Sequence, residues 1–172
     1  MLKTGGILLV LGACTMLGFG KKSELQKRTE ALAQLRSLFL MLRGELQHGG
    51  TPLAEAFGEI SERVQPPFRE GLQTAVLLMR QRDGKGLEEI FEECFMQTVK
   101  ESGLYREDKK RFCRMMGRLG YLDLQMQVKT VELALEELEQ EYTAAQEEYR
   151  SRGRLYCCMG VMCGLFLTVI FL

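Results

Sequence analysis

Residues 123–172 read DLQMQVKTVELALEELEQEYTAAQEEYRSRGRLYCCMGVMCGLFLTVIFL and form the longest helical pattern in the chain. Apolar residues recur at alternating steps of four and three, the 3.5-residue period of a helix with one apolar seam. No proline occurs here and no glycine precedes Gly153. The seam favours ordinary bundle core, with a specialised coiled-coil interface as the alternative. Its residues are Leu124, Val128, Val131, Leu135, Leu138, Tyr142, Ala145 and Tyr149.

The helical pattern continues into Leu155–Leu172, eighteen residues without a charge. At a rise of 1.5 Å per residue the segment would span roughly 27 Å, close to the thickness of a bilayer core. Residues 155–172 are therefore predicted to form a C-terminal transmembrane helix. Gly160 and Gly164 form a G-x-x-x-G spacing within it. That spacing lets membrane helices approach closely, although glycine is common in such helices generally.

A second uncharged segment, Thr4–Gly20, lies at the other end of the chain. Its seventeen residues would span about 25 Å, so residues 1–20 are predicted to form an N-terminal transmembrane helix. Two alternatives remain open. One is a cleavable signal peptide, although no A-x-A site stands out. The other is a lipoprotein signal in which Cys14, at the end of the sequence LGAC, is lipidated. The apolar stretch continues past Cys14, which favours the retained helix.

Basic residues flank both uncharged segments on the side of the central region. By the positive-inside rule, residues 21–154 are predicted to form a cytoplasmic domain in the cell membrane, with both termini across it. Only Lys3 lies on the other side. The basic residues of the central region nearest the two segments are Lys21, Lys22, Lys27, Arg28, Arg150, Arg152 and Arg154.

Composition indicates an all-α domain and argues against several functions. The chain has 23 basic and 23 acidic residues, so it has no overall excess of positive charge that would indicate binding of nucleic acid. Leu, Glu, Gln, Arg, Lys, Met and Ala dominate, as in helical proteins. The six cysteines show no CxxC spacing, and the single histidine, His48, has no partner at ligand spacing. No metal, cofactor, small-molecule substrate or catalytic set for a hydrolase or transferase is therefore expected.

Turn signals divide the central region into six helices. The first is predicted to end near His48, before a Gly-Gly pair. Thr51 and Pro52 are interpreted as the N-cap and first residue of the second helix. Pro66-Pro67 is predicted to open the third helix, and Asp83–Gly86 to form the turn before the fourth. The expected fold is an all-α six-helix bundle whose first and last helices continue into the transmembrane spans.

The join before the last helix has its own signals. A fifth helix is predicted from about Arg106 to Leu119. Gly120 is predicted to follow its C-terminus, where glycine with a positive φ is common. Asp123 is predicted to be the N-cap of the long last helix.

The first and last helices are predicted to leave the membrane side by side and antiparallel, as a stalk. Apolar burial would stabilise the stalk, and the charges would set its register. Each exposed pair would contribute about 0.2–1 kcal/mol. The last helix carries the densest acidic run of the chain, and a simpler interpretation of this run is a solvated helix face. Its members are Glu132, Glu136, Glu137, Glu139, Glu141, Glu147 and Glu148. The predicted neighbours are Lys27 and Arg28 with Glu148 and Glu147, Arg36 with Glu139, and Arg43 with Glu132.

Several short motifs occur in a recognisable order along the whole chain. They are Met1-Leu2-Lys3 with the uncharged segment after it, Leu35-Arg36, Glu45, Thr51-Pro52-Leu53 with Phe57, Gly117-x-Leu119-Gly120-x-x-Asp123, and the terminal apolar helix. Together they resemble the stage III sporulation protein AB family of endospore-forming bacteria. Gly-x-Leu-Gly-x-x-Asp is the most specific of these motifs.

The resemblance implies a membrane-anchored protein made in the mother cell and needed for late developmental steps in the forespore. Such a protein belongs to the channel-like complex that joins the two cells. Its cytoplasmic domain would be similar to the helical domain of the type II secretion platform protein F. By that analogy it would dock the cytoplasmic ATPase of the complex, the stage III sporulation protein AA. The motif residues are then candidates for structural or interaction roles, with no catalytic role expected.

A small membrane-bound signalling adaptor or sensor is the alternative function. Such a protein would carry a substantial extracellular segment, and we expect almost none outside the two predicted spans. Retention of the ATPase would separate the two functions, because an adaptor need not bind it.

Overall fold

A computed structural model describes residues 2–49, 51–81, 84–98 and 102–171. Within these ranges all regular secondary structure is helical, and the predicted all-α fold with six helices is confirmed. The helices are α1 (Leu2–Gly49), α2 (Leu53–Arg63), α3 (Phe68–Gln81), α4 (Leu87–Thr98), α5 (Arg106–Leu119) and α6 (Leu124–Phe171).

The chain divides into two compact units, one of Met1–Thr29 with Thr143–Leu172 and one of Glu30–Tyr142. Most side chains of the two segments predicted to span a membrane are not described, and the close helix approach predicted at Gly160 and Gly164 falls among these positions. Within the part of the chain that is described, no helix combines the length and the apolar character needed to cross a membrane.

A cluster of aromatic rings forms the core of the Glu30–Tyr142 unit. Phe95 of α4 stacks on Phe112 of α5 with ring centroids 4.4 Å apart, and Phe39 of α1 meets Phe112 edge-on at 5.8 Å. Such pairs add to the stability that burial of the rings already provides. The cluster therefore joins the first five helices through side chains that are less than 2% exposed. Its members are Phe39, Phe57, Phe68, Phe91, Phe95 and Phe112.

The start of α2 differs from the prediction. Leu53 is its first helical residue, and Pro52 occupies the N-cap position with φ −54° and ψ 139° and without a side-chain cap bond. The carbonyl of Pro52 accepts hydrogen bonds from the backbone N–H groups of Glu55 and Ala56, at 2.9 and 3.0 Å. The predicted cap at Thr51 is therefore wrong. An N-cap residue needs extended backbone and a free carbonyl, and a proline supplies both.

The join between α5 and α6 confirms one prediction and corrects another. The Asp123 carboxylate accepts a hydrogen bond from the N–H of Met126 at 3.0 Å, so the predicted N-cap is confirmed. Gly120 is the C-cap residue of α5 itself, with φ −67° and ψ −21°, and not the C′ residue that follows the cap, as predicted. A β-carbon at this position would lie 3.2 Å from Cδ1 of Leu87. Glycine therefore makes room for a neighbouring helix here and does not serve a left-handed turn.

The apolar seam of α6 begins later than predicted. Val131, Leu138 and Ala145 are buried, with exposed fractions of 0, 6 and 3%. Leu124 is 43% exposed, and residues 123–126 are all exposed. The first turn of α6 therefore makes the cap but does not contribute to the core.

Candidate interaction surfaces

The first group of candidate residues lies where α1 is connected to α2. Phe57 is fully buried, with its ring 5.3 Å from that of Phe91, so its role is packing. The carboxylate of Glu45 lies 3.6 Å from the guanidinium of Arg63, which ties α1 to α2. In the connection itself, Thr51 and Leu53 are half-buried and Pro52 is exposed. This group therefore holds two helices together.

The second group is formed by Gly117, Leu119, Gly120 and Asp123. Leu119 is fully buried. A β-carbon on Gly117 would lie 2.5 Å from Cβ of Glu88, and the start of α4 also contacts Gly120. The two glycines thus let α4 approach α5 closely, and Asp123 caps the next helix. The motif that carries the family resemblance is therefore a packing and capping motif.

Neither buried thiol of the domain is suited to nucleophilic chemistry. Burial, with smaller contributions from the charges of Glu92 and Glu88, raises the pKa of Cys113 to about 12. Burial likewise raises the pKa of Cys94, with a smaller contribution from Glu93. Both thiols are therefore protonated at neutral pH, and a protonated thiol is a poor nucleophile. Within the described residues, no group of three or more His, Cys, Asp or Glu side chains could hold a metal ion.

A charge pair joins α1 to α6 within the unit that contains both chain ends. The guanidinium of Arg28 lies 3.5 Å from the carboxylate of Glu148, and the Arg28 side chain is only 11% exposed. The same carboxylate also pairs with Arg152, at 2.6 Å. The prediction placed Arg28 opposite Glu147, so the antiparallel pairing is present but shifted by one residue. The hydroxyl of Thr29 lies 3.0 Å from the carbonyl of Leu25 in its own helix and 3.4 Å from that of Ala145 in α6, so the two carbonyls share its one proton.

The same two helices also pair within the Glu30–Tyr142 unit. The predicted ion pair of Arg36 with Glu139 is confirmed. Arg43 and Glu132, predicted to be neighbours, form no ion pair among the described residues. Both line an open cavity of about 410 Å³ instead. The other residues lining this cavity are Arg36, Leu40, Leu135, Glu136 and Glu139.

One face of α5 is strongly basic, a feature that the sequence analysis missed. Arg111 pairs with Glu141 of α6, and the hydrogen bond with Glu141 raises the pKa of Arg111. The zero net charge of the chain conceals this local excess. Basic residues recurring at helical spacing between Arg106 and Arg118 are the signal that would have found it. The exposed residues of α5, called the basic ridge below, are Arg106, Glu107, Lys110, Arg111, Arg114 and Arg118.

An apolar groove lies beside the basic ridge, between α5 and α6. Its volume is about 490 Å³. Three of its large apolar side chains are well exposed: Tyr121 by 84%, Leu133 by 54% and Met126 by 52%. The residues that line this groove, called the α5–α6 groove below, are Met115, Arg118, Tyr121, Leu122, Met126, Thr130, Leu133, Ala134 and Glu137.

The family model for stage III sporulation protein AB matches residues 3–172, nearly the whole chain. The chain belongs to this family. The resemblance carried by the Gly-x-Leu-Gly-x-x-Asp motif and its companions is therefore confirmed.

A solved structure titled stage III sporulation protein AB (SpoIIIAB) is similar to this chain, with a TM-score of 0.60 and 22% sequence identity. The similarity covers 72% of this chain and 96% of that one. At this identity the likeness shows the fold, and it supports the helical architecture described above. Among curated proteins, none matches the chain in sequence.

Proposed function

We propose that this protein is a non-enzymatic, membrane-anchored structural component of the channel-like complex between mother cell and forespore. The observation that carries the proposal is the match of the family model to residues 3–172. The protonated state of Cys94 and Cys113 agrees with a role in binding. A protein that works by contact needs a stable scaffold, and the aromatic core of the Glu30–Tyr142 unit supplies one.

The proposed anchors are the N-terminal helix of residues 1–20 and the C-terminal helix of residues 155–172. Their support is the absence of charge from Thr4–Gly20 and Leu155–Leu172. Basic residues on the inner flanks of both segments support a cytoplasmic position for residues 21–154. The protein would then lie in the mother-cell membrane with both termini outside the cytoplasm.

Cysteine labelling in intact cells tests this topology. In a variant without the native cysteines, Thr74→Cys places a thiol at an exposed position of α3. We expect an impermeant maleimide to label it only after the membrane is permeabilised. The matched control is Leu2→Cys, which we expect to react in intact cells. Labelling of Thr74→Cys before permeabilisation would overturn the proposed topology.

The proposed cytoplasmic role is a platform that docks the ATPase of the complex, the stage III sporulation protein AA. Its support is family membership together with the analogy to the platform protein F of type II secretion. The test is purification of the full-length chain from membranes of sporulating cells. We expect the ATPase and other stage III proteins to be retained with it. Equal recovery of the ATPase from a strain without this chain would contradict docking.

A further inference from the structure

The α5–α6 groove exposes apolar side chains that the bundle core does not use. Leu133 is 54% exposed, whereas Val131, two residues earlier, is fully buried. Two residues of an α-helix differ by about 200° in direction, so Leu133 points away from the core. Met126 lies seven residues before Leu133 and therefore shares its face of α6. Large apolar residues clustered in this way mark an interaction site, whereas scattered ones do not.

The shape of the groove suits inserted side chains. Its volume of about 490 Å³ provides a concavity between two helices. Met115 and Met126 lie on opposite sides of it, one from each helix. Methionine is flexible and polarizable, and surfaces lined by it adapt to the apolar face of a bound helix. A partner helix would insert side chains spaced three or four residues apart.

The wall that α5 contributes is positively charged. Arg118 lines the groove, and Arg114 precedes it by about one helical turn on the basic ridge. Among the described residues, neither forms an ion pair. The carboxylate of Glu88 lies on the side of α5 that carries Gly117, which faces α4. Because Arg118 forms no ion pair among the described residues, its charge beside the groove is available to a partner.

The opposite wall is different. Glu137 of α6 lines it, while Ala134 and Leu133 form the apolar surface next to it. The two walls of this apolar groove therefore carry opposite charges, with Arg118 on α5 and Glu137 on α6. A partner with carboxylates along one flank would satisfy the basic wall in a single orientation, because reversing the flanks would place them against Glu137.

We propose that the α5–α6 groove binds an acidic amphipathic helix of another protein. The apolar side chains of that helix occupy the groove, and its carboxylates lie against Arg118 and Arg114. The proposal concerns the chemistry of the bound helix, and it does not depend on whether that helix belongs to the ATPase proposed above.

Two other occupants fit the groove less well. An anionic bilayer presents a broad surface, which would not fill a concavity between helices. On a second copy of the chain, the acidic faces of α2 and α4 carry no exposed large apolar residue among the described residues. Those faces lack the apolar side chains that the groove requires. The acidic helix α6 does expose Met126 and Leu133, but both already line the groove.

Site-specific photo-cross-linking tests the proposal in the full-length chain. A photoreactive phenylalanine replaces Leu133, and the protein is irradiated in membranes of sporulating cells. We expect cross-linking to a segment of another protein whose sequence, read by mass spectrometry, combines acidic residues with apolar residues at helical spacing. The matched control places the same photoreactive residue at Leu77 of α3, which is 61% exposed. We expect no cross-link to that segment from position 77.

Charge reversal tests the basic wall in the same assay. We expect Arg118→Glu to lower the cross-link yield from position 133 about tenfold, and Arg118→Lys to retain most of it. Arg106→Glu is the control, because Arg106 is exposed on α5 but does not line the groove. If Arg118→Glu fails to fold, the cross-link yield of Arg114→Glu tests the same basic wall.

Several outcomes would overturn the proposal. One is a cross-link to lipid, to a second copy of the chain or to a segment without acidic amphipathic character. Another is the absence of any cross-link. The last is a cross-link yield that neither Arg118→Glu nor Arg114→Glu changes. The cross-linked protein need not be the ATPase. A failure of the groove proposal in this assay is therefore distinguishable from a failure of ATPase docking in the purification experiment.

Discussion

Gly117 of α5 lies directly against Glu88 of α4. A β-carbon at position 117 would lie 2.5 Å from Cβ of Glu88 and 3.2 Å from its Cα. Because the backbone of Glu88 is among the atoms that this β-carbon would meet, a side chain at position 117 would push α4 and α5 apart. Phe95 and Phe112, which stack at 4.4 Å, belong to the same two helices. The glycine therefore sets a distance on which the aromatic core depends.

The first prediction follows from this contact. We expect Gly117→Ala to lower the free energy of unfolding by about 1–3 kcal/mol, the usual cost of overpacking a core. Urea unfolding of the purified full-length chain would show a lower midpoint at an unchanged slope. The matched control is Gly58→Ala in α2, where a β-carbon meets nothing within 4 Å. That change should stabilise the protein by about 0.5–1 kcal/mol. Equal stability of the two variants would contradict the role assigned to Gly117.

The N-cap of α6 gives the second prediction. We expect Asp123→Ala to cost about 0.5–2 kcal/mol, because the N–H of Met126 loses its acceptor at 3.0 Å. Asp123→Asn keeps an oxygen at the same place and should retain most of the stability. Both variants can be compared by urea unfolding. If they lose the same amount, the hydrogen bond is not what makes Asp123 important.

The third prediction compares two ion pairs that join α1 to α6 by double-mutant cycles. The side chains of Arg28 and Glu148 are 11 and 25% exposed, whereas those of Arg36 and Glu139 are 43 and 50% exposed. We expect a coupling energy of about 0.2–1 kcal/mol for the exposed pair. The value for Arg28 with Glu148 should be larger, at about 1–3 kcal/mol, because water screens it less.

Salt separates the two pairs further. Raising the ionic strength should reduce the coupling of Arg36 with Glu139 more than that of Arg28 with Glu148. Arg152 also pairs with Glu148, so the Arg28 cycle is repeated with Arg152→Ala as a background. Equal couplings with equal salt dependence would show that burial of Arg28 does not strengthen its pair.

The fourth prediction concerns pH and Cys113. Its thiol ionises near the ordinary pKa of 9.0 in the unfolded chain and at about 12 in the folded protein. The unfolded chain therefore loses this proton first as the pH rises, which favours unfolding. The associated stability is complete below pH 9.0 and is lost progressively towards pH 12.

The measurement is urea unfolding at several pH values above 8. We expect the stability of the unsubstituted protein to fall more steeply with pH than that of Cys113→Ala. The variant lacks the thiol, so its remaining slope reports the other titrating groups. Parallel slopes would contradict the raised pKa of Cys113.

Local features of the sequence predicted the helices well. Periodicity identified the buried face of α1, where Leu32, Leu35 and Phe39 are at most 1% exposed. The cap at Asp123 was also predicted correctly. Helix periodicity and capping depend on residues within a few positions of one another, so a single sequence contains the necessary information.

Contacts between helices were predicted less well. Gly120 was predicted to be the C′ residue of α5, yet it is the C-cap with φ −67°. It faces Leu87 of α4, which is far from Gly120 in the sequence. The partner of Arg28 was displaced by one residue, because the register of two helices depends on how their side chains interlock. The α5–α6 groove and the basic ridge beside it arise only when α5 and α6 come together. Distances between helices depend on the packing of residues remote in sequence, and for this reason the tertiary structure alone determined which residues share a surface.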